Sequence, residues 1–428
     1  VVARVKEDPQ PLVLRFGGGH HSSAGQDEIN PRECSDGNNY NLDLEDTDFR
    51  PRNGFETVTT APNAMEIRGF VTHQKSDGTI SMLYQAGDTV YQWDGVTSTK
   101  VGTVALNARL RGRFEHNWEL DDKVLITDLT LSQVVMEWDG TTFKAVDHNL
   151  SGTFFAKYCF VSDERAWFAN VIAGTAVPHM VVGSSRSDYT SLSIADRPID
   201  SLNEGDPFFL LSPDLRPING LLETFQVVTI STRNGQLFKL GGDSAKNFAF
   251  GKFFPRSGVT GDESLVWVGN DAVYGRANRL ESLASTDKFG DVQSDDLSVQ
   301  IQNQLTSDDW KIAYNSRAQK VYFFPDNLGE CWVFHKNLGG GDLSPWVRWR
   351  TTHASDFQPT AVMNLLDPAD GLERTFTGDS SGNIYRLEGK GFSDPSSTDI
   401  TTTRTSALFG GPFDSQVYDL QGWVKYRA

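Results

Sequence analysis

The sequence is poor in cysteine: Cys34, Cys159 and Cys331 are the only three in 428 residues. An odd number of scattered cysteines excludes a disulfide framework and a thiolate metal site, and points to synthesis in a reducing compartment. No apolar run approaches the roughly 20 residues that span a bilayer. The first residues, "VVARVKEDPQPLVLRFGGGHH", carry no apolar core followed by a cleavage site. The expectation is a soluble chain with no membrane segment, made in the cytoplasm. Basic residues are also short: 39 Lys and Arg stand against 56 Asp and Glu, a formal charge of −17. Wrapping nucleic acid needs clustered cations that neutralise phosphates, so this balance argues against tight duplex binding.

Several signatures of chemistry are missing. "RFGGGHH" has neither the Lys-Ser/Thr nor the following helix of a phosphate loop. His20 and His21 are adjacent, and adjacent side chains on an extended chain point opposite ways, so they do not share an ion. The repeated aspartate box of sialidase propellers is absent, and "SDGTIS" at 76–81 is a poor fragment of it. Carboxylates are abundant, but sequence alone pairs none of them as a glycosidase needs. Arg109, Arg111 and Arg113 alternate in "NARLRGRFEHN", so on a strand they share a face. The expectation for them is pairing with carboxylates rather than a binding site. No catalytic residue, cofactor or metal site emerges, and the chain is expected not to be an enzyme.

What is present is repetition. "VYQWDG" at 90–95 and "VMEWDG" at 135–140 place two Trp-Asp-Gly triplets 45 residues apart. Each ends a strand–turn–strand pattern: "TISMLYQAGDTVYQWDG" turns at Ala86–Asp88, and "KVLITDLTLSQVVMEWDG" repeats the plan. The plan recurs in "ERAWFANVIAGTAVPHMVVGSS" and in "FQVVTISTRNGQLFKLGG", where Asn234-Gly235 is a strong hairpin signal. It recurs again in "SLVWVGNDAVYGR", "KVYFFPDNLGECWVFHK" and "RTFTGDSSGNIYRLEG". Markers at Trp93, Trp138, Val181, Phe238, Tyr274, Phe334 and Tyr385 recur on average every 49 residues or so. Antiparallel hairpins at a period of about 40–50 residues are the mark of propeller blades. The fold expected is all-β: a β-propeller of about seven blades (six to eight) over 61–389, with Trp93 and Trp138 at equivalent positions. The competing reading is a β-sandwich, or two β-domains, with chance periodicity. Asp94 and Asp139 are expected to cap turns.

Three stretches break the pattern. Leu280, Leu283 and Ala284, then Leu297, Ile301 and Leu305, fall at helical spacing with Asp295 as a cap, predicting one or two short helices between blades. Residues 1–60 are Gly-rich and then acidic, with eight carboxylates from Asp27 to Asp48 opposed only by Arg32. They read as an extended arm making most of its contacts outside its own propeller. Residues 390–428 read as a linker and C-terminal strands that either close the ring or start another sheet.

The order of motifs resembles that of a phage family. "NPRECSDGNNYNLDLEDTDFRPRNGFETV" leading into the first blade is similar to the opening of tail nozzle or tail accessory β-propellers of short-tailed phages. "GQLFKLGG", "ECWVFHK", "WVRW", "SGNIYRLEG" and "LFGGPFDSQVYDL" follow in similar order. The resemblance covers most of 30–428. It implies a structural virion protein in the tail, forming a six-fold homo-oligomeric ring at the DNA exit. Its partners would be a tail adaptor, a fibre or plug protein, and packaged DNA that passes without tight binding. An arm reaching a neighbouring subunit would place Arg32, Asp43, Asp46, Asp48, Arg50 and Arg52 at the subunit interface. The alternative is a carbohydrate-binding or glycan-degrading propeller. A scaffold for cellular protein partners has no sequence feature in its favour.

Overall fold

In the computed structural model the chain is a seven-bladed β-propeller with a strap of terminal segments on its flank. The residues described are 18–19, 21–23, 33–42, 49–111, 122–162, 164–195, 201–224, 227–233, 236–254, 259–269, 271–276, 278–283, 295–307, 309–326, 329–338, 344–350, 358–389, 394, 400 and 402–406. Each blade is a four-stranded antiparallel sheet. The innermost strands are Ile67–Gln74, Leu110–Arg111, Phe154–Ser162, Ile218–Thr224, Leu265–Val268, Trp310–Asn315 and Ala361–Leu366. The blades follow one another around the ring, and the seventh meets the first.

Ring closure comes from the N-terminal side. Blade seven takes its outer strand from Glu56–Thr60, which pairs antiparallel with Asn383–Arg386. The boundary expected at residue 60 therefore falls just after a propeller strand, and the arm ends inside the fold. The C-terminal strand Thr403–Ser406 does not close the ring. It pairs with Cys34–Asn38 in a separate two-stranded sheet.

The repeated triplet is one structural unit used twice. Trp93 and Trp138 both end the third strand of their blades. Trp93 packs against Ile67, Phe70 and, from blade seven, Phe376, whose ring lies 6.4 Å away at 71°. Trp138 packs against Val71, Leu83 and Val90 of blade one, with the His73 ring 6.3 Å away at 74°. Each indole fills the seam between its own blade and the preceding one, where burying a large aromatic contributes about 2–3 kcal/mol. The turns match too. Asp94 Oδ1 accepts from the backbone N–H of Val96 and Thr97 at 2.9 and 2.7 Å. Asp139 Oδ1 accepts from those of Thr141 and Thr142 at 2.8 and 2.7 Å. Gly95 and Gly140 sit at φ of 98° and 90°, where a side chain is strained. A Cβ there would strike Ala369 of blade seven or Lys75 and His73 of blade one, so both turns abut the preceding blade.

Blade five corrects the sequence reading. No α-helix occurs among the described residues. Arg279–Ser282, inside the segment expected to be helical, is the third strand of that blade, and Gln302–Gln304 is a single 3₁₀ turn. Leu280, Leu283, Ile301 and Leu305 are all buried, but on a strand and irregular backbone. Apolar spacing reported burial there, and the sheet partners decided the backbone. The marker Tyr274 consequently lies in the second strand, whereas the other six lie in third strands.

The strap covers the edge of blade six. Asn39, at φ 62°, donates its backbone N–H to Arg348 O at 2.8 Å. Its amide accepts from Arg350 N at 2.9 Å and donates to Arg350 O at 2.6 Å. Trp349 Nε1 donates to Tyr40 O at 3.1 Å, and Gly19 N donates to Ser344 O at 2.8 Å. These bonds satisfy an outer strand that would otherwise present a pairing edge. The described part of the arm is thus docked on its own propeller.

A buried histidine makes the fold pH-sensitive. His335 ends the third strand of blade six opposite Lys320, and is 6% exposed. Burial, with Lys320 adding to it, holds its pKa well below 6.5. Below about pH 6.5 the unfolded chain takes a proton that the folded chain refuses, so stability falls with pH by up to about 1.4 kcal/mol per unit from this group. Urea midpoints at pH 7 and pH 5 are expected to differ less in His335→Phe than in the parent chain.

Candidate lumen site

The innermost strands enclose a cavity of about 460 Å³ on the propeller axis, lined by residues of all seven blades. Two charged bridges cross it. Arg111, in the first strand of blade two, forms an ion pair with Glu263, which precedes the first strand of blade five. Its guanidinium also lies 3.5 Å from Val362 O of blade seven. Lys157, in the first strand of blade three, contacts Asp262 Oδ2 at 3.0 Å. The next residue, Tyr158, donates its hydroxyl to Asp262 Oδ1 at 3.1 Å. Burial, reinforced by the Asp262 carboxylate, pushes the Tyr158 phenol well above its ordinary value of 10, so it stays a donor. Glu373 ties blade six to blade seven: it accepts from Ser316 N at 3.0 Å, and from the Ser316 hydroxyl and the Asn364 amide.

The arginines singled out in the sequence part company. Arg111 lines the lumen, whereas Arg109 lies outside the short strand and reaches Glu66 at 3.9 Å. Both therefore pair with carboxylates, as expected. Arg113 lies outside the described residues. His21 Nδ1 hydrogen-bonds Glu33 at 2.9 Å, and His20 lies outside the described residues.

Of the residues expected at a subunit interface, Arg32, Asp43, Asp46 and Asp48 lie outside the described residues. The backbone of Arg50 pairs with Asn41. Arg52 is engaged within the chain: fully buried, it pairs with Asp394 at 2.5 Å and donates to Asn39 Oδ1 at 3.0 Å. Its guanidinium lies 5.9 Å from the Phe55 ring centre and 5.3 Å from that of Trp349. A wholly desolvated cation needs such partners, and here they belong to the chain itself.

Sequence reasoning missed Lys157, Tyr158, Asp262 and Glu263. The available signal was Lys157-Tyr158 near the start of an otherwise apolar strand and two successive carboxylates in "GDES".

No protein-family model and no curated protein sequence matches the chain. Solved structures show the fold. A catalytically inactive form of virginiamycin B lyase from Staphylococcus aureus, with quinupristin, aligns at a TM-score of 0.50 and 8% identity, over 78% of this chain and 98% of that one. The extracellular domain of a protein described as a hybrid two component system from B. thetaiotaomicron aligns at 0.50 and 14%, over 88% of this chain. This chain spans 47% of that neighbour's length, and 39% of another structure of an extracellular domain from the same organism. At these identities the likeness is one of propeller architecture alone.

Proposed function

We propose that this protein is a structural component of a phage virion, assembling as a six-fold ring at the DNA exit of a short tail, with an adaptor and a fibre or plug protein as partners. The observation that carries this reading is the order of motifs from "NPRECSDGNNYNLDLEDTDFRPRNGFETV" into the blades, which is similar to tail nozzle propellers. The charge supports it: −17 per chain repels phosphates, so a duplex slides past rather than sticks. The lumen of one propeller is not the passage for DNA. A cavity of about 460 Å³ crossed by Arg111–Glu263 is the size of a small-ligand site. In this reading DNA passes along the axis between subunits.

Gel-shift titration tests the DNA side. No duplex binding is expected at 150 mM salt, where the screening length is about 8 Å. Weak binding at most is expected at low salt. Sub-micromolar affinity at 150 mM salt would contradict a sliding surface, because each retained phosphate contact adds about 0.9 to the salt slope and slows ejection. Reconstruction of tails from a phage that carries this gene tests the location, with propeller density expected around the distal channel.

A further inference from the structure

We infer that the lumen cavity is a binding site for a neutral carbohydrate, a role independent of the virion reading. The cavity is about 460 Å³, within the range of small-ligand pockets. Its charged groups include two matched pairs, Arg111 with Glu263 and Lys157 with Asp262. An anion would have to displace a carboxylate from its cation, and a cation would have to displace the base, or the Ser316 and Asn364 donors that hold Glu373, the third carboxylate on the lining. A polyol does neither. Each hydroxyl both donates and accepts, so it can bridge a carboxylate and its cation without separating them. Tyr158 is held as a donor beside Asp262.

Two further observations point to such a ligand. Trp267 lines the same cavity and remains 38% exposed, whereas the other described tryptophans are almost wholly buried. A half-open indole on the cavity wall offers a flat apolar surface to the C–H face of a sugar ring, beside groups that take its hydroxyls. Thr72, also on the lining, is 3% exposed and its hydroxyl has no hydrogen-bond partner among the described residues. A buried hydroxyl left unpaired is costly, and a ligand hydroxyl would satisfy it.

Isothermal titration of the full chain tests this with glucose, galactose and N-acetylglucosamine as neutral probes, and with glucuronate and inorganic phosphate as anionic ones. Saturable binding of at least one neutral sugar is expected, with a Kd of about 1 mM. Trp267→Ala is expected to weaken it about tenfold or more by removing the apolar wall, and Trp267→Phe to retain most of it. Unchanged circular dichroism of both variants separates loss of binding from loss of fold. Binding of glucuronate or phosphate without any neutral sugar would overturn the inference. So would absence of saturable binding by all three sugars up to about 50 mM, or neutral-sugar binding that Trp267→Ala leaves unchanged.

Discussion

Deleting residues 1–60 is expected to abolish the folded propeller rather than release a trimmed one. The cut removes Glu56–Thr60, the outer strand of blade seven. It also removes Glu56, which meets Arg386 at 2.7 Å, and Gly54, whose carbonyl accepts from Gly389 N at 2.9 Å. Val58 packs on the cluster formed by Ile67, Phe70 and Ile384 at the seam between blades seven and one. Without the strand, blade seven exposes a three-stranded edge, and its hold on blade one is reduced to the remaining seam contacts, such as Phe376 with Trp93. An open edge invites pairing with another molecule. The loss is of the order of the whole net stability, about 5–15 kcal/mol. Circular dichroism and gel filtration should show aggregated or unfolded chain. A soluble monomer with parental melting behaviour would show that strand to be dispensable.

Arg52→Ala is expected to be the most damaging single substitution at the strap. It removes the cation paired with Asp394 and leaves that carboxylate buried. It also opens the space between Phe55 and Trp349 and frees Asn39, which organises the edge of blade six. Breaking one side of a buried pair costs about 3–5 kcal/mol. Removing Asp394 as well should restore part of the loss, because the buried charge goes with it. Urea denaturation of the parent, both single variants and the double variant gives that coupling directly. Additive single losses would mean that the two side chains stabilise the strap independently.

Much of the propeller was legible because hairpins are local. The strand period, glycines at positive φ and the Trp-Asp-Gly turns lie within about 20 residues of one another, where sequence patterns are strongest. Gly87, Gly269 and Gly382 take positive φ at turns read from the sequence, while Asn234-Gly235 lies outside the described residues. Blade five was misread because its third strand, Arg279–Ser282, is short and its apolar residues happen to fall at helical intervals. The closing strand reads as part of the arm because nothing in "ETVTT" itself says that its partner lies more than 300 residues later. The lumen pairs were illegible for the same reason. Lys157 and Asp262 are 105 residues apart, and only closure of the ring brings them together. Arg52 reads as a subunit-interface residue of the arm, yet it is buried within the chain. Its partner, Asp394, lies in a stretch that reads as linker.

The mass of the purified protein in solution tests the ring directly. Native mass spectrometry, with negative-stain images of the same sample, is expected to give a closed homo-oligomer of about six 47.4 kDa chains around a central hole. A 47.4 kDa monomer at every concentration, with no ring in the images, would contradict the proposed assembly.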